Sequence, residues 1–391
     1  MPISVLFIKR AYDPEGVQIN RFALCLERHG RKLLPFAANL GWLHFQWASS
    51  EYFKNYARFY GKNGFKYLNY GILPRPEKII SFNSLKQKVD GIMEVCEEFG
   101  MLRANFLMYY DFTKPGLTPE EVKTRREMNE KYHAAFDIKS VLATIVIDEP
   151  ELGMKSEDCY RFLKSMRPFY PTRPMLMNNT LMGIPNNYAH LETDILMLDD
   201  YLTQSETRTI ADMMETSIDA MTKKGRELAR PSFVYLEAAN YSLHPCEPTY
   251  GQQIAQCYAS LASGCNGIYL WGLLPVATQG NWRAIKQLVK EFAVLEGLIL
   301  TEEPSPAVEC AADRLKIRFR PAVKDGVLTL LTCNIDEQPA GKVTFNLPAP
   351  FSKAKEAEVL FENRTVKIVN GAIIDDFAGH TRHVYSVKCK E

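Results

Sequence analysis

Short apolar runs alternate along most of the chain with longer segments that carry apolar residues on one helical face. The runs are rich in β-branched and aromatic residues, so the alternation predicts βα units on a parallel sheet. Eight units fall between residues 33 and 298, a number and length typical of a (β/α)8 TIM barrel. The predicted strands are Leu33–Ala38, Phe65–Ile72, Asn105–Phe112, Ala143–Glu149, Pro174–Asn179, Asp194–Tyr201, Ser232–Ala239 and Gly267–Leu273.

Amphipathic helices are predicted after seven of these strands, and only a short connection through Asn186–His190 follows the fifth. A doubly wound open sheet is the alternative architecture, but no glycine-rich phosphate-binding turn follows an early strand. Before the first unit we expect a strand at Val5–Lys9 and a helix over Val17–His29 that ends at Gly30. The predicted helices of the units are Ser50–Tyr60, Ser84–Phe99, Pro119–Phe136, Ser156–Met166, Thr207–Glu227, Tyr250–Ser263 and Asn281–Leu298.

The pattern changes after Leu300, where the segment TEEPSPAVE with its two prolines is a predicted linker. Beyond it, short alternating strands are separated by turn-forming residues, which is the pattern of an antiparallel β-sandwich. We therefore expect a barrel over residues 1–302 and an accessory β-sandwich over residues 306–391. The strands predicted in the sandwich are Leu315–Phe319, Val327–Asn334, Lys342–Leu347, Glu358–Phe361, Thr365–Val369 and Val384–Lys388.

Composition narrows the classes of function. A formal net charge of +1 gives no electrostatic reason to expect nucleic acid or an anionic membrane as a partner. No apolar run is long enough to span a bilayer. The apolar run in the N-terminal segment MPISVLFIKRAYD is too short for a secretory signal. The expected location is the cytoplasm, or the exterior after removal of a signal. The nine cysteines contain no CxxC pair, so neither a disulfide framework nor a zinc site is predicted.

Polar side chains are rare inside the predicted barrel strands and cluster where the strands end. The fourth strand ends at Asp148 and Glu149 before Pro150 interrupts the ladder, and the seventh ends at Glu237. The eighth ends at Trp271. The carboxyl ends of barrel strands share one mouth, which is where barrel enzymes place their active sites. The other polar or aromatic residues expected there are Tyr110, Asn178, Asn179, Asp199, Asp200, Tyr201 and Tyr241.

Paired carboxyl groups at one mouth suit the cleavage of a glycosidic bond, in which one donates a proton and the other stabilises or attacks the anomeric carbon. The two roles need unequal pKa values, which burial and a neighbouring charge can supply. Metal chemistry is disfavoured because the seven histidines form no HxH or HExxH motif. No GxSxG elbow and no strand-tip lysine is present, so no other nucleophile and no cofactor is predicted.

The layout resembles the clan A retaining glycoside hydrolases on (β/α)8 barrels. These carry an acid/base glutamate at the end of strand four, usually within Asn-Glu-Pro, and a nucleophile glutamate at the end of strand seven. Here Asp-Glu-Pro stands at 148–150 and Glu237 closes strand seven. The resemblance implies a hydrolase of oligo- or polysaccharides with Glu149 as acid/base, Glu237 as nucleophile and Trp271 as a platform for a sugar ring. The C-terminal sandwich resembles accessory domains of such enzymes.

Asp148 departs from that pattern, since the clan has an asparagine that binds the sugar 2-hydroxyl. An adjacent Asp-Glu pair is similar to the β-N-acetylhexosaminidases that use substrate-assisted catalysis. That likeness implies that Asp148 orients the substrate's acetamido group, which acts as the nucleophile, that Glu149 is the acid, and that Glu237 only binds substrate. A third likeness, to the α-galactosidase-like clan, implies an aspartate nucleophile at Asp148 and an acid at Asp199 or Asp200.

The predicted polar residues around the two glutamates can also be explained by ordinary structural roles. Asp199 and Asp200 are adjacent, so at most one is expected to face the mouth. Asn178 and Asn179 are equally suited to a turn. A non-catalytic barrel that binds glycans is the alternative from another functional class, and it predicts that Glu149 and Glu237 do not face each other. The sequence does not specify the sugar, the linkage or the oligomeric state.

Overall fold

The computed structural model describes residues 13–43, 48–72, 81–107, 111–136, 141–180, 192–202, 207–238, 247–272, 278–312 and 316–388. The first elements form a three-stranded antiparallel sheet of β1 (Gln18–Asn20), β2 (Cys25–Arg28) and β3 (Arg31–Leu33). The helix predicted over Val17–His29 is therefore wrong, and the strand predicted at Val5–Lys9 lies outside the described residues.

The pairing of these three strands explains the error. Ile19 lies opposite Leu26, and Leu26 lies opposite Leu33, so one face of the sheet is apolar. That face packs against the inside of the barrel, and Asn266, just before the last barrel strand, donates to the backbone carbonyls of Ala23 and Leu24. The sheet thus closes the N-terminal end of the barrel. Strands this short give too few alternations to be distinguished from helical spacing.

Eight parallel strands follow and close into a barrel in chain order, which confirms the predicted (β/α)8 architecture. They are β4 (Phe36–Trp42), β5 (Tyr67–Ile72), β6 (Leu102–Leu107), β7 (Val141–Asp148), β8 (Met175–Asn179), β9 (Ile195–Asp199), β10 (Ser232–Glu237) and β11 (Ile268–Trp271). The helices are α1 (Ser50–Lys62), α2 (Phe82–Phe99), α3 (Pro119–Phe136), α4 (Ser156–Met166), α5 (Ile210–Met213), α6 (Asp219–Glu227), α7 (Tyr250–Ser263) and α8 (Gln279–Ile299), with a π-helical turn at Met214–Ile218 joining α5 to α6.

The third barrel strand begins earlier than predicted, at Leu102 instead of Asn105. The second residue of this strand is Arg103, a charged residue of a kind that is rarely buried. Its side chain is fully buried and donates a 2.7 Å hydrogen bond to the hydroxyl of Tyr70. The connection predicted at Asn186–His190 lies outside the described part of the chain.

The C-terminal residues form one eight-stranded antiparallel sheet. Its strands are β12 (Glu309–Cys310), β13 (Ile317–Lys324), β14 (Val327–Asn334), β15 (Gly341–Asn346), β16 (Glu356–Val359), β17 (Arg364–Val369), β18 (Ala372–Phe377) and β19 (Arg382–Lys388). They are paired in the order β12-β15-β18-β17-β16-β19-β14-β13. Its two halves enclose an apolar core that includes Leu330, Phe345 and Tyr385. The strands at Glu309–Cys310 and Ala372–Phe377 were not predicted. None of the helices that the structure describes carries an apolar stretch long enough to cross a bilayer.

Candidate active site

The interior of the barrel changes from apolar to polar towards the carboxyl ends of its strands. Alternate residues of each strand point inwards. On β9, Ile195 and Met197 belong to the buried inner core, and the next residue on that face is Asp199. On β10, Phe233 and Tyr235 are followed on the same face by Glu237. The acids predicted at the strand tips therefore lie over an apolar floor, at the mouth of the barrel.

A β-bulge in β7 places Asp148 inside. Ile145 belongs to the inner core, so regular alternation would put Ile147 inside and Asp148 outside. The register of β7 against β8 shifts between Ile145 and Ile147, and Ile147 packs in the outer layer beneath the helices. Asp148 then pairs with Asn178, whose side-chain amide donates a 2.9 Å hydrogen bond to Oδ1 of Asp148. Bulges that re-aim a side chain are common beside active sites.

Burial dominates the electrostatics of Asp148. Burial and, to a lesser extent, the neighbouring Glu149 and Glu151 raise the pKa of this carboxyl from 3.8 to about 7, against the hydrogen bond from Asn178, which lowers it. Glu151 accepts a 2.8 Å hydrogen bond from the Thr180 hydroxyl, and burial raises its pKa as well. The end of β7 thus concentrates three carboxyl groups, and at least two of them resist ionisation.

Glu149 occupies the left-handed region of backbone space, with φ 40° and ψ 50°. Its backbone N–H donates a 2.8 Å hydrogen bond to the carbonyl of Asn178, and Pro150 then begins a short 3-10 helix. A non-glycine residue in this conformation is strained by about 1 kcal/mol or more, and such residues cluster at functional sites. The conformation holds the Glu149 side chain at the mouth.

Asp199 reaches Glu149 across the mouth. The carboxyl groups of the two residues share a hydrogen bond, and burial, Glu149 and Asp148 all hold the pKa of Asp199 well above its usual range. Asp199 therefore stays neutral at neutral pH, and its O–H donates to a carboxyl oxygen of Glu149. Two carboxyl groups in contact cannot both ionise without a large electrostatic penalty.

Glu237 and Trp271 occupy neighbouring positions, paired in the register of β10 and β11. Glu237 is fully buried, and its backbone carbonyl accepts a 3.2 Å hydrogen bond from Gln256 of α7. Trp271 meets the ring of Tyr235 edge-on, with centroids 6.0 Å apart. The strands that carry Glu149 and Glu237 have β8 and β9 between them. The indole therefore lines the mouth beside the second predicted carboxylate.

The remaining predicted residues do not share one environment. Asp200 lies behind the strand, where it accepts a hydrogen bond from Ser217 and pairs with Arg208. Asn179 donates a 2.8 Å hydrogen bond to the carbonyl of Met197. Tyr201 is buried within the inner core of the barrel. Of the adjacent aspartates it is therefore Asp199 that faces the mouth. Tyr110 and Tyr241 lie outside the described residues.

Sequence analysis missed two asparagines on the inner face of the barrel. Asn39 of β4 and Asn69 of β5 are almost completely buried, and each follows an inner-core residue by two positions. The side-chain amide of Asn69 donates to the hydroxyl of Tyr235, which lies beneath Trp271. An isolated amide in an otherwise apolar strand was the available signal. The described residues contain no group of three or more His, Cys, Asp or Glu side chains placed to hold a metal ion.

No protein-family model matches the sequence, and no curated protein matches it. The fold, however, matches many solved structures. A GH30 endoxylanase from Clostridium papyrosolvens C71 is 13% identical with a TM-score of 0.54, over 91% of this chain and 97% of that chain. An Anoxybacillus α-amylase is 9% identical with a TM-score of 0.58, over 96% and 100%. A GH27 β-L-arabinopyranosidase from Geobacillus stearothermophilus is 12% identical with a TM-score of 0.59, over 90% and 96%. At these identities the likeness establishes the fold, which these glycoside hydrolases share.

Proposed function

We propose that this protein hydrolyses a glycosidic bond of an oligo- or polysaccharide, with Glu149 as acid/base and Glu237 as nucleophile. The observation that carries the proposal is the contact between Glu149 and a protonated Asp199 at the mouth of the barrel. Burial beside a second carboxyl group disfavours ionisation, and a general acid needs an environment that keeps it protonated. The glycoside hydrolases among the structural neighbours support the proposal by analogy of fold.

In the proposed reaction Glu149 protonates the oxygen of the leaving sugar while Glu237 attacks the anomeric carbon. The carbon–oxygen bond to the leaving sugar breaks, and a covalent bond to Glu237 forms. Glu149, now a carboxylate, then removes a proton from the water that hydrolyses this intermediate, and it thereby recovers its own proton. The half-buried indole of Trp271 offers an apolar face on which a sugar ring can pack.

A second candidate mechanism is favoured by the hydrogen bond between Asn178 and Asp148. It fixes the Asp148 carboxyl on the inner face beside Glu149, where it can orient an acetamido group. The carbonyl oxygen of that group would attack the anomeric carbon in place of Glu237, and Asp148 would stabilise the resulting positive charge. This mechanism requires a 2-acetamido sugar as substrate.

Turnover of a panel of disaccharides, with and without a 2-acetamido group on the sugar whose glycosidic bond is cleaved, tests both mechanisms. We expect the Glu149→Gln and Glu237→Gln variants each to lose at least about a thousandfold in kcat/KM. Glu130→Gln, an exposed change on α3, is the control and should retain activity. If Glu237→Gln retains turnover while Asp148→Asn loses it, and only 2-acetamido sugars react, the substrate-assisted mechanism is correct. Sugar binding that survives Glu149→Gln, without turnover of any glycoside, would refute hydrolysis and support a glycan-binding barrel.

A further inference from the structure

The tip of β9 carries two adjacent aspartates that point in opposite directions. Asp199 continues the inner face of Ile195 and Met197, whereas Asp200 lies on the outer side and is fully buried. Ser217 donates a hydrogen bond to the Asp200 carboxylate and another, of 2.8 Å, to the carbonyl of Met213.

The outer aspartate is held firmly. Arg208 forms an ion pair with Asp200, and the Arg208 side chain is itself 15% exposed. Ser217 belongs to the π-helical turn at Met214–Ile218, an irregularity that is frequent at functional sites. Because Ser217 and Arg208 both hold the Asp200 carboxylate, the backbone at the strand tip is fixed. Asp199, one residue earlier, is thereby fixed against Glu149.

The inner aspartate has an unusual environment. Asp199 is only 8% exposed, and its Oδ1 atom has no hydrogen-bond partner among the residues that the structure describes. The groups that act on it electrostatically are Glu149 and Asp148 from β7, and it acts in turn on Tyr235 of β10. All three neighbours are acidic or neutral. No cation is present in this set to stabilise an ionised Asp199.

We propose that Asp199 is a positioning residue that stays neutral and donates its O–H to Glu149 throughout the reaction, instead of serving as a sugar ligand. The inference rests on the proposed role of Glu149. When Glu149 gives its proton to the leaving oxygen, it becomes a carboxylate in a site with little water. A hydrogen bond to that carboxylate is charge-assisted and therefore strong. The proton of Asp199 is not transferred, since Glu149 recovers its own from the attacking water.

The pH dependence of this arrangement follows from the acids around Asp199. Burial and the neighbouring carboxyl groups raise its pKa, so it remains protonated at neutral pH. Above that pKa Asp199 ionises, the donor is lost, and a second negative charge repels Glu149. Activity should therefore fall on the alkaline side, and more steeply than the ionisation of the general acid alone would cause.

The first test compares pH profiles of kcat/KM for the wild type, Asp199→Asn and Asp199→Ala on a glycoside that the wild type cleaves. Asparagine can still donate to Glu149 but cannot ionise, so we expect it to retain activity at neutral pH and to show a less steep alkaline fall, caused by the general acid alone. Alanine should lose at least about tenfold at neutral pH, where the wild-type Asp199 is still a donor. Asp90→Asn, an exposed change on α2, is the control. An alkaline fall that persists unchanged in Asp199→Asn, or full activity in Asp199→Ala, would overturn the proposal.

The second test does not depend on turnover. A carboxyl whose pKa is raised by folding contributes stability below its unfolded pKa, and that contribution is lost as pH rises through the folded pKa. The melting temperature of Asp199→Asn should therefore rise relative to the wild type as pH increases, and the effect should shrink in a Glu149→Gln background. If this pattern appears in a protein that cleaves no glycoside, the contact stands and the proposed function fails. A difference in melting temperature that does not change with pH would show that Asp199 and Glu149 do not interact.

Discussion

The side-chain amide of Asn178 donates a 2.9 Å hydrogen bond to Oδ1 of Asp148, and the backbone carbonyl of Asn178 accepts a 2.8 Å hydrogen bond from the N–H of Glu149. One residue at the tip of β8 therefore fixes both acids at the tip of β7. The β-bulge in β7 makes this contact possible, because it turns Asp148 inwards beside Asn178. The mouth of the barrel is organised by this pairing of neighbouring strand tips.

Replacing Asn178 by alanine should raise the pKa of Asp148 further, because the hydrogen bond from Asn178 favours its ionised form. A hydrogen bond to a charged group contributes about 1.5–3 kcal/mol, so activity that needs an ionised Asp148 should fall at least about tenfold at neutral pH. Titration of the Asp148 carboxyl carbon by NMR measures the shift directly. Asn55→Ala, on the exposed face of α1, should leave the titration unchanged.

The raised pKa of Asp148 should make the free energy of unfolding fall as pH rises. Its pKa is about 7 in the folded protein and 3.8 as the ordinary value, so between these limits the unfolded chain loses a proton that the native protein keeps. Stability is therefore lost as pH rises from about 4 to about 7, by at most about 4 kcal/mol. The free energy of unfolding of Asp148→Asn in urea should increase relative to the wild type over this range. A difference that is constant with pH would show that Asp148 ionises normally.

The left-handed backbone conformation of Glu149 should destabilise the protein, and a glycine at this position should relieve that strain. Glu149→Gly and Glu149→Ala both remove the carboxyl group, but only glycine adopts φ 40° without strain. We expect the glycine variant to be more stable than the alanine variant by about 1 kcal/mol, although both should be inactive. Thermal unfolding of the two variants measures the cost of the left-handed backbone conformation, because they differ only at Cβ. Equal stability would mean that the backbone relaxes out of this conformation.

A buried ion pair joins the C-terminal sheet to the barrel. Arg382 of β19 contacts Glu291 of α8, with a 3.1 Å hydrogen bond from Nε, and their side chains are 9% and 5% exposed. Arg382→Leu should destabilise the protein by about 3–5 kcal/mol, because it leaves a buried carboxylate without its cation.

Replacing both Arg382 and Glu291 by leucine should recover part of that loss, because no unpaired charge then remains buried. Lys86→Ala breaks an exposed pair with Asp90 on α2 and should cost less than about 1 kcal/mol. Urea unfolding compares the three variants. If Arg382→Leu and Lys86→Ala lower the free energy of unfolding equally, the interface between the C-terminal sheet and the barrel is open to water.

The hydrophobic pattern predicted most of this fold because the βα signals are local. Helix α7 has its predicted bounds, and its ends carry a Thr249–Gln252 capping box and a left-handed Gly264. The segment Val17–His29 failed because its strands are only three and four residues long. Its apolar positions suit a helix or a hairpin, and the choice depends on packing against the barrel.

The site was predicted as a set of strand tips, without the contacts between them. Alternation in β7 would turn Asp148 outwards, and only the bulge, which depends on pairing with β8, reverses this. Likewise the sequence left open which of Asp199 and Asp200 faces the mouth. The buried partners Ser217 and Arg208 decide it, and they belong to later segments of the chain.

The acid role of Glu149 is tested most directly by leaving-group dependence. The measurement is kcat/KM of the wild type and Glu149→Gln on two aryl glycosides of one sugar, one with a dinitrophenyl and one with an unsubstituted phenyl leaving group. Dinitrophenolate leaves without a proton, whereas phenolate needs one. We expect Glu149→Gln to lose at least about a hundredfold on the phenyl glycoside and little on the dinitrophenyl glycoside. An equal loss on both would contradict the assignment of Glu149 as the general acid.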